Sequence, residues 1–131
     1  MDRTARPVRT PGPDHPITVE PTGTRVVVRA GGRVVADTSR ALTLREADYP
    51  AVQYIPLDDV AESALRRTDT STYCPYKGDA SYYALTGAAG EVADAVWTYD
   101  KPYDAVDVIA GHVAFYPQHV EIEIGAPEPR A

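Results

Sequence analysis

The segment Thr72-Tyr73-Cys74-Pro75-Tyr76-Lys77-Gly78 holds the chain's one cysteine and one of its two lysines. An ammonium near a thiol favours the thiolate, the nucleophilic form. Cys74 and Lys77 are therefore the candidate catalytic residues, and Lys77 is also a candidate ligand anchor. If Tyr73 to Tyr76 is extended, Cys74 and Tyr76 share one face and Tyr73 and Pro75 the other. Gly78 supplies the freedom for a bend beside Lys77. Covalent catalysis at Cys74 would also want a histidine base, for which His112 and His119 are available. The plainer reading makes Cys74 a small buried hydrophobe and Lys77 a charge that steadies the turn.

A second constellation is aromatic. Nine tyrosines stand against one phenylalanine and one tryptophan, and every buried hydroxyl needs a partner. Tyr54, Trp97, Tyr99 and Tyr116 can be ordinary core, or they can wall a small-molecule cleft that is apolar with a few polar groups. Metal chemistry finds less to work with. One cysteine and His15, His112 and His119 form no closely spaced ligand pairs, whereas structural zinc usually takes four Cys/His ligands. No cofactor and no metal are expected.

The elements that must position these residues read as mostly β. Residues 1–16 carry Pro7, Pro11, Pro13 and Pro16 with little apolar material and are expected to form a flexible arm. Two β-branched runs, 24–30 and 33–36, flank Gly31-Gly32 and predict a hairpin. Residues 41–46 alternate, with Leu42 and Leu44 on one face, and 52–55 form a short strand ending at Pro56. Residues 57–67 open on acids and close on arginines, with Leu57, Val60, Ala61, Ala64 and Leu65 on one side. That pattern predicts a single short helix. Strands follow at 80–85 and 91–99, the second placing Ala93, Ala95, Trp97 and Tyr99 on one side. A single helical turn is expected at 104–110, then strands at 113–116 and 119–124, and a flexible tail at 125–131. The whole is one β-rich domain over 17–124, with no strand–helix alternation of the parallel α/β kind.

Composition narrows the function. The net charge of −6 and the scattering of eleven arginines among nineteen acids argue against a nucleic-acid partner. No run of eighteen apolar residues occurs, so no membrane span is expected. The start lacks the apolar core of a signal peptide, and a lone cysteine suits a reducing cytosol.

The order Tyr54-Ile55-Pro56, Asp59-Val60, Cys74-Pro75-Tyr76-Lys77-Gly78, Ala80 and Tyr82 resembles the bacterial family known as domain of unknown function 427. His15-Pro16, Val34-Val35-Ala36-Asp37, Trp97, Tyr99, Pro102, Ile109, Gly111 and Val113-Ala114-Phe115-Tyr116 extend the resemblance over about residues 15–124. It implies a β-tent-like architecture, two small antiparallel sheets packed at an angle. Several β-tent relatives carry zinc, which is not carried over here because the paired cysteines are missing. The family sometimes bears a nucleotidyltransferase-like label. That chemistry needs carboxylates converging on two metal ions. Asp58 and Asp59 point about 100° apart on a helix, Asp104 and Asp107 read as capping or solvated, and no Gly-rich phosphate loop precedes a helix.

Three readings stay open. The first is a binding domain whose cleft of Tyr54, Trp97, Tyr99 and Tyr116 holds a small ligand, an anion if Lys77 anchors it. The second is an enzyme using Cys74 or Lys77. The third is a protein-interaction domain without a pocket. Ligand identity and oligomeric state are not legible in the sequence.

Overall fold

Backbone pairing divides the chain between two antiparallel sheets, as the mostly β reading expects. A computed structural model describes residues 7–87 and 90–126. The first six residues of the expected arm, the centre of the 86–90 turn and the tail beyond residue 126 lie outside the described residues.

The strands are β1 (Ile17–Pro21), β2 (Val26–Ala30), β3 (Arg33–Thr38), β4 (Leu42–Glu46), β5 (Val52–Pro56), β6 (Leu65–Cys74), β7 (Gly78–Gly87), β8 (Gly90–Thr98), β9 (His112–Phe115) and β10 (Glu121–Ile124). Seven of them form one sheet in the order β1-β4-β5-β9-β8-β7-β6, and β10-β2-β3 form the other. The β2–β3 hairpin turns at Gly31-Gly32, both at positive φ (57° and 82°), the conformation a tight primed turn requires.

The two faces of the large sheet carry different cores. Ile55, Val96, Val113 and Phe115 point toward the small sheet and pack with Val26, Val28, Val35 and Ala36. Their neighbours in sequence, Tyr54, Trp97 and Ala114, point the other way and join Leu44, Tyr82, Tyr99, Val106 and Ile109. Period-two alternation thus separates a largely aliphatic core between the sheets from one rich in tyrosine behind them. A kinked 3₁₀ segment, Asp104–Ile109, delivers Val106 and Ile109 to the aromatic side.

The single helix expected over 57–67 is not formed. Leu57–Asp59 and Glu62–Ala64 are isolated 3₁₀ turns, and Leu65 already opens β6. The interruption lies at Val60 and Ala61, which are extended. Val60 bridges Ala36 and the Ala61 amide donates to Val35 C=O at 2.8 Å. These residues thus cover the outer edge of β3. Arg66 and Arg67 pair with β7 instead of closing a helix. Long-range pairing overrides a helical pattern whose intrinsic preference is weak.

A smaller correction concerns β8. Trp97 and Tyr99 share the aromatic side as expected, but Ala95 belongs to the aliphatic core. The register between β7 and β8 slips between Tyr83 and Leu85, and Asp94 lies in the left-handed region at φ 55°. A bulge of this kind changes which face successive residues occupy. The Asp94 carboxylate accepts from the hydroxyls of Thr68 and Thr70 on β6, both at 2.6 Å.

Candidate functional site

The site begins with a transverse row of the large sheet. Tyr82 on β7 pairs with Trp97 on β8, and Trp97 pairs with Ala114 on β9. Continuing the Ile55–Val113 register of β5 and β9 puts Tyr54 opposite Ala114. A methyl side chain therefore sits between two large aromatics. Across that gap Trp97 Nε1 donates to the Tyr54 hydroxyl at 3.2 Å, with the rings edge to face. Tyr116, just past β9, lies against Trp97 with ring centroids 4.5 Å apart. Tyr99, just past β8, is buried in the same cluster.

These side chains wall a cavity of about 190 Å³, together with Glu46, Tyr49 and Lys77. All five residues singled out for ligand binding, Tyr54, Lys77, Trp97, Tyr99 and Tyr116, thus line one space. The volume lies below the ~300 Å³ at which drug-sized sites begin. Burial pushes the phenol pKa values of Tyr54 and Tyr99 well above the ordinary range. Burial, then a hydrogen bond with Tyr82, pushes that of Tyr116 up to about 12. Near neutral pH each hydroxyl keeps its proton, and that of Tyr116 is engaged with Tyr82.

Lys77 enters from the turn between β6 and β7. Its amide donates to Cys74 C=O at 3.2 Å and its own carbonyl accepts from the Tyr103 amide at 3.0 Å. Gly78 follows at φ +108°, and a Cβ there would stand 3.4 Å from Lys101 C=O. The chain thus bends sharply against residues 101–103, which directs Lys77 inward. Its Nζ donates to Glu46 Oε1, and the two side chains keep only 10% and 14% of their surface exposed.

Glu46 was not among the expected site residues. The signal was present: it continues the Leu42–Leu44 alternation, so a carboxylate falls on a face that is otherwise apolar. Its second oxygen pairs with His15 Nε2 at 2.6 Å. Burial pushes the Glu46 carboxyl upward, but the hydrogen bonds from Lys77 and His15, with the charge of Lys77 and that of His15 when it is protonated, outweigh it and hold the carboxyl below its usual value.

His15 stacks on Tyr76, with centroids 4.0 Å apart and planes 6° from parallel. Tyr76 is not part of an extended run with Cys74, because β6 ends at Cys74 and the turn intervenes. Other residues of the proline-rich stretch also rest on this segment. The Arg9 amide donates to Pro75 C=O at 2.9 Å, and the Tyr73 hydroxyl donates to Pro7 C=O at 2.6 Å.

Cys74 is half-buried and packs against the aromatic core. Among the described residues no hydrogen bond joins it to a histidine. His112 Nδ1 lies 3.0 Å from Ala110 C=O, and His119 lines a groove by the β2–β3 turn. The acids weighed for metal-dependent transfer are also separate. Asp59 accepts from Thr38 and Arg40 at 2.6 and 3.2 Å, while Asp104 and Asp107 are exposed on the 3₁₀ segment. Among the described residues no three His, Cys, Asp or Glu side chains group so as to hold a metal ion.

A family profile described as "Domain of unknown function (DUF427)" matches residues 18–125, so the chain belongs to that family. No curated protein matches it.

Proposed function

We propose that this family member is a small-molecule-binding domain whose ligand occupies the cavity of Tyr54, Trp97, Tyr99 and Tyr116, beside Lys77. The observation that carries the reading is convergence. Side chains from β4, β5, β8, the β6–β7 turn and the stretch after β9 meet around one space. That space combines aromatic walls with a largely buried ion pair, the usual composition of a site with apolar walls and a few orienting polar groups. Lys77 has three donors and spends one on Glu46. A ligand presenting acceptors would meet the others.

An enzymatic role at Cys74 has less support, since among the described residues no hydrogen bond joins its thiol to a histidine base. The acidic charge continues to favour a small molecule over nucleic acid as partner. The lone cysteine favours the cytoplasm as the working compartment, and among the described residues no helix is long and apolar enough to cross a membrane.

The test is a thermal-shift screen against small carboxylates, amides and nucleotides, with Trp97 emission as the second readout. A ligand that binds the folded state raises its apparent stability, and Trp97 is the only tryptophan. Ligands that raise the melting temperature and also perturb Trp97 support the reading. No response from any class would leave the protein-interaction reading in its place.

A further inference from the structure

Glu46 is shared between two basic residues that come from distant parts of the chain. Lys77 holds one carboxylate oxygen and His15 holds the other. With His15 neutral, the charges of Glu46 and Lys77 cancel. A monoanion entering the cavity would then leave one negative charge uncompensated in a largely buried place, which is unfavourable. One proton on His15 restores the balance, because the imidazolium neutralises Glu46 while Lys77 turns its other N–H groups toward the ligand.

We propose that the cavity takes a small monocarboxylate with a flat apolar body, and that His15 takes up one proton from solvent as it binds. This rests on the ligand-binding reading above and adds the ligand's class and its linkage to pH. The walls set the body, since the cavity is lined mainly by the rings of Tyr54, Tyr82, Trp97, Tyr99 and Tyr116, against which a flat apolar group can lie. The phenols set the head, because Tyr54 and Tyr99 remain protonated donors. The Tyr54 oxygen accepts from Trp97, which leaves its own hydrogen to give. A phosphate dianion would bring a second charge that one histidine cannot offset, and a volume of about 190 Å³ suits a small molecule.

Among the described residues, the groups facing His15 are few. Glu46 reaches it from β4, the Tyr76 ring covers it from the β6–β7 turn, and Arg9 and Asp14 line the same hollow from its own segment. Lys77 acts on it through Glu46. His15 is the group of this set whose type ordinarily changes charge between about pH 5 and pH 8.

The experiment titrates the full chain with benzoate, and with benzamide as the uncharged isostere, following Trp97 emission near pH 8 and near pH 6. Calorimetry in two buffers of different ionisation heat counts protons. Benzoate is expected to bind about tenfold more tightly at the lower pH, the range in which histidine gains charge, with proton uptake approaching one. Benzamide is expected to show neither effect. His15→Gln keeps a donor for Glu46 without the titration, and is expected to bind benzoate with a flat pH profile while still melting cooperatively. Benzoate binding that is equally tight at both pH values, or a pH effect that survives in H15Q, overturns the proton linkage alone. Binding of benzamide without benzoate overturns the monocarboxylate class and leaves the pocket. No response to either molecule overturns this inference, and the reading beneath it falls as well only if the wider thermal-shift screen is also silent.

Discussion

Lys77 Nζ donates to Glu46 Oε1 across 31 positions of sequence, tying the β6–β7 turn to the end of β4. The pair closes one side of the aromatic cavity, and its two side chains are mostly withdrawn from water. Removing one member leaves the other partly buried with less compensation.

Lys77→Met keeps the aliphatic stem and deletes the charge. It should lower stability by about 2 kcal/mol, less than the roughly 3–5 kcal/mol that breaking a fully buried pair costs, because the pair keeps some exposure and His15 still contacts Glu46. It should also abolish ligand-induced changes in Trp97 emission. Urea denaturation followed by far-UV circular dichroism measures the first effect, and ligand titration measures the second. Unchanged ligand response in a folded variant would remove Lys77 from the anchor role.

Glu46 makes stability depend on pH in a definite direction. Its folded-state carboxyl titrates below the glutamate value of 4.5. The stability it contributes is therefore fully present above that value and is lost as pH falls through the lower, folded-state one. The wild type should exceed Glu46→Gln in stability at about pH 7, and the gap should narrow near pH 3. Parallel denaturation curves at the two pH values check the sign.

Tyr54→Phe deletes the acceptor of the Trp97 indole. The expected cost is about 1 kcal/mol, the usual net worth of such a bond. Trp97 emission should shift even without ligand, which separates loss of this contact from general loosening. A cooperative melt with unaltered emission would mean that the indole is held by other contacts.

Gly78→Ala tests the bend. A residue with a Cβ at φ +108° is strained, and the added atom would also press on Lys101 C=O at 3.4 Å. A loss of about 1–3 kcal/mol is expected, visible as a lower melting temperature. Gly12→Ala, where an added Cβ meets nothing within 4 Å, serves as the control.

Cys74→Ala distinguishes packing from chemistry. The thiol rests against the aromatic core, so a modest loss of about 1 kcal/mol is expected. Ligand affinity should stay within about twofold. A variant that folds normally yet loses a measured activity would restore the covalent reading.

Much of this was legible because strand signals are local. Alternation at 41–46, the Gly31-Gly32 turn and the breaks at Pro56 and Lys101-Pro102 follow from side-chain period and backbone freedom at neighbouring residues. So did the candidate status of Tyr54, Trp97, Tyr99 and Tyr116, though not their meeting. The 57–67 segment failed for the opposite reason. Its charges and apolar spacing describe a helix, but Val60 and Ala61 gain more from covering the β3 edge. Propensity differences of a few tenths of a kcal/mol per residue do not withstand that competition.

The residue types at the site, the bend at Gly78 and the β-rich class were thus determined by the sequence itself. Only the tertiary structure decided that Glu46 partners Lys77 and His15, and that Ala114 stands in register between Trp97 and Tyr54, whose side chains meet across it. Those relations depend on register between strands far apart in the chain. Register is settled jointly by both faces of the sheet, because a one-residue slip would turn every aromatic side chain to the wrong side.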